Sequence, residues 1–128
     1  MGDRATITIY QDGCYPDKPL NLYTHWEGAS ICQTLAEGLR KARNGGRLND
    51  SPYATRIIFD TMTHLTGEAT GFGIIAGEHS DVNYTSPSVI WGGDGHEPTV
   101  LYGELEMKAS AFIDIFAPDK SDGVVVVV

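Results

Sequence analysis

Hydrophobic and polar residues alternate twice in the first quarter of the chain. Residues 4–10 read Arg-Ala-Thr-Ile-Thr-Ile-Tyr. Period two with β-branched side chains predicts a strand that turns Ala5, Ile7 and Ile9 inward. Residues 11–19, QDGCYPDKP, are turn chemistry. Alternation resumes over 20–26. Leu20 and Leu22 face in, Trp26 shares their parity, and Asn21, Tyr23 and His25 face out. The two segments are matched for an antiparallel pair.

The period then changes. Ile31, Leu35, Ala36, Leu39 and Ala42 recur at helical spacing and predict a helix over 30–43. Ser30 and Gln33 have capping-box spacing, Arg40, Lys41 and Arg43 suit the last turn, and Asn44-Gly45-Gly46 ends it. A second stripe of Ala54, Ile57, Ile58, Thr61, Met62 and Leu65 predicts a helix over 52–66. Asp50 or Ser51 caps it, Pro52 fits its first turn and Gly67 stops it.

The remainder reads as strands at 71–77, 88–91 and 99–107, with GGDGHEP as a hairpin turn between the second and third and 111–116 as a candidate for one strand more. The terminal valines read as an edge strand or a frayed tail. No internal repeat or linker interrupts the chain. The order β-β-α-α-β-β-β predicts a single α+β domain, a mainly antiparallel sheet with two helices packed on one face. By parity the other face carries Arg4, Thr6, Thr8, Tyr10, Tyr23, His25, Tyr102, Glu104 and Glu106.

Composition narrows the partners. The chain has 128 residues and a net charge of −8. Residues 1–56 hold six acids and seven bases, whereas 57–128 hold eleven acids and only Lys108 and Lys120 as bases. Such an acidic half repels nucleic acid and attracts a basic protein surface. Exposed acids at Glu104 and Glu106, beside Tyr102, are the candidate partner-binding residues. No apolar run approaches the roughly 20 residues of a spanning helix, and no basic-then-apolar leader opens the chain. The expectation is a cytoplasmic protein with Cys14 and Cys32 as reduced thiols. An aromatic open face and a valine-rich end favour a two-fold dimer.

Candidate chemistry is sparse. There is no G-x-S-x-G, H-E-x-x-H or P-loop, and Gly45-Gly46-Arg47 reads as a helix stop. The four histidines, His25, His64, His79 and His96, have no spacing that converges three ligands on a metal, so neither metal nor cofactor is expected. His64 reads as a dipole partner at a helix end. Arg4, Tyr23, His25 and Trp26 are the ligand-binding candidates. A guanidinium beside aromatic rings grips a phosphate or stacks on a base. The same residues equally serve as cross-strand cover for an exposed sheet.

The opening M-G-D-R-A-T-I-T-I-Y-Q-D-G, the later L-Y-T-H-W-E-G and the strand G-F-G-I-I-A-G resemble a family of small phage and prophage proteins. That family opens M-G-T-R-S, followed by a strand, a D-G turn and a segment like L-Y-R-Q-Y-D-G. Arg4 matches its early arginine, and Tyr23, Trp26, Glu27 and Gly28 match its aromatic-acid-glycine segment. Here Ala29-Ser30 runs straight into a helix where the family has a proline- and histidine-containing loop. The family has no assigned activity, so the resemblance implies a phage accessory protein. The leading expectation is a non-enzymatic inhibitor that binds a host protein, as of a defence system, through the acidic surface. The alternative is a protein that sequesters or hydrolyses a signalling nucleotide. A third reading is a minor structural or assembly protein of the particle.

Overall fold

In the computed structural model, residues 2–64, 70–79 and 81–117 are described. Six strands form one mixed sheet: β1 (Ala5–Tyr10), β2 (Leu20–Thr24), β3 (Phe72–Ala76), β4 (Ser88–Ile90), β5 (Thr99–Tyr102) and β6 (Leu105–Lys108). Their spatial order is β3-β2-β1-β4-β5-β6. Every ladder is antiparallel except β1 with β4. Three helices complete the α+β fold: α1 (Ile31–Asn44), α2 (Ser51–His64) and α3 (Ala109–Phe116).

The β1–β2 register sets Ala5 opposite Thr24, Ile7 opposite Leu22 and Ile9 opposite Leu20. The inward residues of both strands therefore share one face, where Ala5, Ile7, Ile9 and Leu22 are completely buried. Val89 and Val100 continue that face into β4 and β5. Above it, α1 buries Ile31, Leu35, Ala36, Leu39 and Ala42. This helix lies on β1, α2 packs against α1, and α3 lies against α1, β5 and β6. At the α1–α2 contact Gly38 is pressed against the backbone of Ile58. Trp91 is buried and its indole Nε1 donates to the Leu48 carbonyl at 2.9 Å, which ties the end of β4 to the α1–α2 loop.

Several expectations need correction. Residues 111–116 are not a strand but the body of α3. The helix has an inner stripe of Ala109, Phe112 and Ile113, with Phe116 stacked on Phe112 at 4.5 Å between ring centroids. A short apolar run reads as either element until its packing is known. Residues 99–107 are not one strand. Gly103, at φ +63°, and Glu104 form a two-residue turn, so the chain reverses at Tyr102 and pairs it with Leu105. Ser30 stands at the N-cap position of α1 but makes no side-chain capping bond: it is the last residue of a 3-10 turn (Gly28–Ser30), and its hydroxyl donates to the Glu27 carbonyl at 3.3 Å. Leu65, Gly67 and the terminal valines lie outside the described residues.

The face opposite the helices is not wholly open. Residues 77–79 and 81–87, between the edge strand β3 and β4, lie along β2 and β1 on that side. The Asn83 N–H donates to the Arg4 carbonyl at 2.8 Å, and the Arg4 N–H donates to Asn83 Oδ1 at 2.9 Å. The Thr6 and Ser86 hydroxyls are 2.7 Å apart. Thr6 is therefore fully buried despite its outward parity.

Gly38 tests how tightly α1 and α2 are docked. A Cβ added there would sit 2.9 Å from the Ile58 Cα, and backbone cannot step aside. Alanine improves helix propensity by about 1 kcal/mol, but overpacking costs about 1–3 kcal/mol. Gly38→Ala is expected to lower stability in urea unfolding. Gly45→Ala, whose Cβ would have ordinary contacts at 3.5 Å or more, is expected to stay within about 0.5 kcal/mol.

Candidate functional site

Beyond the strands the β1–β2 ladder slips by one residue: the Asp3 N–H donates to the His25 carbonyl at 2.6 Å, where the strand register would bring Asp3 opposite Trp26. Within the strands Thr6 stands opposite Tyr23, and Arg4, two residues before Thr6, keeps its parity. Arg4, Tyr23 and His25 thus share the face away from the helices, as their parity predicts. The Tyr23 hydroxyl and His25 Nδ1 are in hydrogen-bond contact at 2.8 Å. His25 meets the Trp26 ring edge-on at 4.3 Å.

Trp26 departs from its inward parity. Strand β2 ends at Thr24, and Trp26 is 54% exposed over β3's first residues. Glycines make room for this arrangement. A Cβ on Gly71 would lie 2.7 Å from Trp26 Cδ1, and φ there is +89°. A Cβ on Gly2 would lie 2.6 Å from His25 Nε2, and one on Gly28 would lie 2.7 Å from the Tyr84 ring. The His25 N–H donates to the Gly71 carbonyl at 2.8 Å. Tyr23, His25, Trp26, Thr70, Gly71 and Phe72 line a concavity of ≈ 430 Å³.

The crossing segment adds residues that no local sequence pattern ties to this site. His79 packs edge-on against Tyr23 at 5.6 Å, so two imidazoles flank one phenol. Asp81 pairs with Arg4 at 3.3 Å and is itself largely exposed. The Tyr84 hydroxyl donates to Asp3 Oδ1 at 2.7 Å, a bond that lifts the phenol above its ordinary pKa. Two nitrogens, Arg4 Nε and His79 Nε2, are buried without a hydrogen-bond partner among the described residues. In the sequence, His79 drew attention only as one of four histidines, since nothing in the spacing ties residue 79 to residue 23.

One step further along the sheet, Thr8, Tyr10, Asn21, Glu78, His79 and Ser88 contribute to a second cavity of ≈ 320 Å³. Asn21 is buried and fixed at both ends. Its Oδ1 accepts from Thr8 Oγ1 at 2.7 Å, and its Nδ2 donates to the Gly77 carbonyl at 2.7 Å. Burial pushes the Tyr10 phenol up, with Tyr15 and Glu78 adding to the effect. The wall is hydroxyl-rich with one carboxylate.

Tyr102, Glu104 and Glu106 do not form one patch. The turn at Gly103 reverses parity, so Tyr102 points to the helix side. There it meets Phe116 at 6.0 Å and lies beside the buried Cys32 thiol. Burial raises the Cys32 pKa, and the Tyr102 contact lowers it in part. Glu104 sits exposed in the turn, and Glu106 lies exposed on the edge strand β6. Among the described residues no three His, Cys, Asp or Glu side chains gather as metal ligands, and no helix is long and apolar enough to cross a membrane. Comparison with protein-family models, with curated proteins and with solved structures finds no match.

Gly71 tests whether Trp26 is held in place by its neighbours. Gly71→Ala would strain a left-handed backbone at a cost of about 1–2 kcal/mol and collide with the indole. The expected outcome is a lower melting temperature and an altered emission and acrylamide quenching of Trp26. Trp91 is buried and stays shielded, so a change confined to the quenchable fraction identifies Trp26. Unchanged quenching would show that Gly71 does not set the indole's position.

Proposed function

We propose that this chain is a non-enzymatic binding protein that holds a nucleotide on the sheet face away from the helices. The observation that carries the reading is the gathering of Arg4, Tyr23, His25, Trp26 and His79 on that face, with two buried nitrogens, Arg4 Nε and His79 Nε2, lacking partners among the described residues. A buried unpaired polar group costs about 1–3 kcal/mol, and an acceptor brought by a ligand relieves it.

The roles follow from the geometry. The Arg4 guanidinium receives a phosphate, which takes over from Asp81. Asp81 is exposed and joined to Arg4 at 3.3 Å, so it yields at little cost. Tyr23 is enclosed between two imidazoles, so the base stacks on the exposed Trp26 instead. Sugar hydroxyls reach the cavity of Thr8, Asn21, Ser88 and Glu78. Such a protein would serve a phage by sequestering a signalling nucleotide.

A second reading is inhibition of a host protein with a basic surface. Its support is the free edge of the sheet, where Glu104 and Glu106 are exposed on the β5–β6 hairpin. Tyr102 has no part in it, because its ring packs against Phe116.

Calorimetry against mono-, di- and cyclic nucleotides tests the first reading. One class is expected to bind, Arg4→Ala to abolish the heat, and Trp26→Ala to weaken binding by about 1–3 kcal/mol, the usual worth of a base–aromatic stack. Asp81→Asn is expected to strengthen it. No heat with any nucleotide ends this reading. For the second, Glu104→Lys with Glu106→Lys is expected to slow association with a basic partner and to remove its salt dependence.

A further inference from the structure

A cavity of ≈ 710 Å³ opens between the end of α1, the loop before β5 and the start of α3. It shares no lining residue with the open-face site. Its size falls within the range of small-molecule sites, about 300–1,000 Å³. Arg43, His96 and Lys108 stand on its walls together with Leu48, Glu97 and Ser110.

The arginine on these walls differs from the other four, whereas Lys108 shares its lack of an ion pair among the described residues with Lys18 and Lys41. Of the five arginines, Arg4, Arg40, Arg47 and Arg56 each pair with a carboxylate, those of Asp81, Glu37, Asp50 and Asp60. Arg43 makes no ion pair with a described residue, and neither does Lys108. Lys108 is moreover one of only two bases in the acidic half. The single acid on the wall is already engaged: Glu97 Oε1 accepts from both the N–H and the hydroxyl of Ser110 at 2.8 Å. Nearby, Asp94 accepts from the His96 N–H at 3.0 Å. That bond, with the His96 and Lys108 charges, holds the Asp94 carboxyl below its ordinary range.

We propose that this cavity is an anion site that takes the phosphate group of a small phosphorylated molecule between Arg43 and Lys108. A guanidinium offers a planar fork to two oxygens, and the ammonium serves the third as a compact charge. The two together match a dianion better than a monocarboxylate. The net charge of −8 does not forbid this. At physiological salt the distant acids are screened beyond about 8 Å, while contacts within the cavity are not.

The test is chemical-shift mapping of the ¹⁵N-labelled full chain titrated with inorganic pyrophosphate at physiological salt. Saturable shifts are expected at Arg43, His96, Lys108 and Ser110. Arg43→Ala and Lys108→Ala should each weaken binding about tenfold, the worth of one charged hydrogen bond, and the double variant should abolish it. Both side chains are exposed, and the unperturbed remainder of each spectrum verifies the fold. Arg4→Ala should leave these shifts unchanged, which separates this site from the nucleotide face. Absence of shifts at millimolar pyrophosphate, shifts that persist in the double variant, or shifts confined to Arg4 and His25 would each overturn the proposal.

Discussion

The β1–β2 pairing is the constraint on which the rest depends. Its register decides which residues of residues 4–10 and 20–25 meet the helices and which do not. Ala5, Ile7, Ile9 and Leu22 are all fully buried on one side. Arg4, Tyr23 and His25 are on the other, with Thr6, Thr8 and Asn21 beside them. A slip of β1 by one residue would turn Arg4 toward the helices and expose two isoleucines, Ile7 and Ile9. The cost of that exchange is what holds the polar cluster together: the core fixes the register, and the register assembles the site.

The second constraint is the crossing segment. Strand β4 joins β1 in parallel, so the chain must travel from one edge of the sheet to its middle. It does so over the face without helices. This brings His79 to Tyr23, Asp81 to Arg4 and Ser86 to Thr6. The same connection that completes the sheet therefore roofs part of the polar face and leaves concavities on it. Gly2, Gly28 and Gly71 lie where a side chain would strike His25, Tyr84 or Trp26. They let the amino-terminal end and the start of β3 close tightly around the aromatic residues.

The parts legible in the sequence were those with strong local period. Strands β1 and β2 and helices α1 and α2 follow from alternation and apolar stripes, and so does the shared face of Arg4, Tyr23 and His25. What was not legible depends on tertiary contacts. AFIDIF becomes helical because Phe112 and Ile113 dock together against the core, although six apolar-rich residues suit a strand equally well. Tyr102 leaves the open face because one glycine at positive φ turns the chain, and parity cannot be carried through a turn. Trp26 leaves the core because β2 stops two residues before it. His79 joins the site through a contact 56 residues away in sequence, for which no local pattern exists.

The central claim is that the polar face sorted out by the β1–β2 register is a working surface and not merely cover for the sheet. Intermolecular nuclear Overhauser effects between a bound nucleotide and the protein test it most directly. Contacts are expected from base protons to the Trp26 indole and from sugar protons to the Thr8, Asn21 and Ser88 side chains, within one complex. Contacts to the β5–β6 hairpin or to the outer faces of the helices, with none to Trp26, would contradict it.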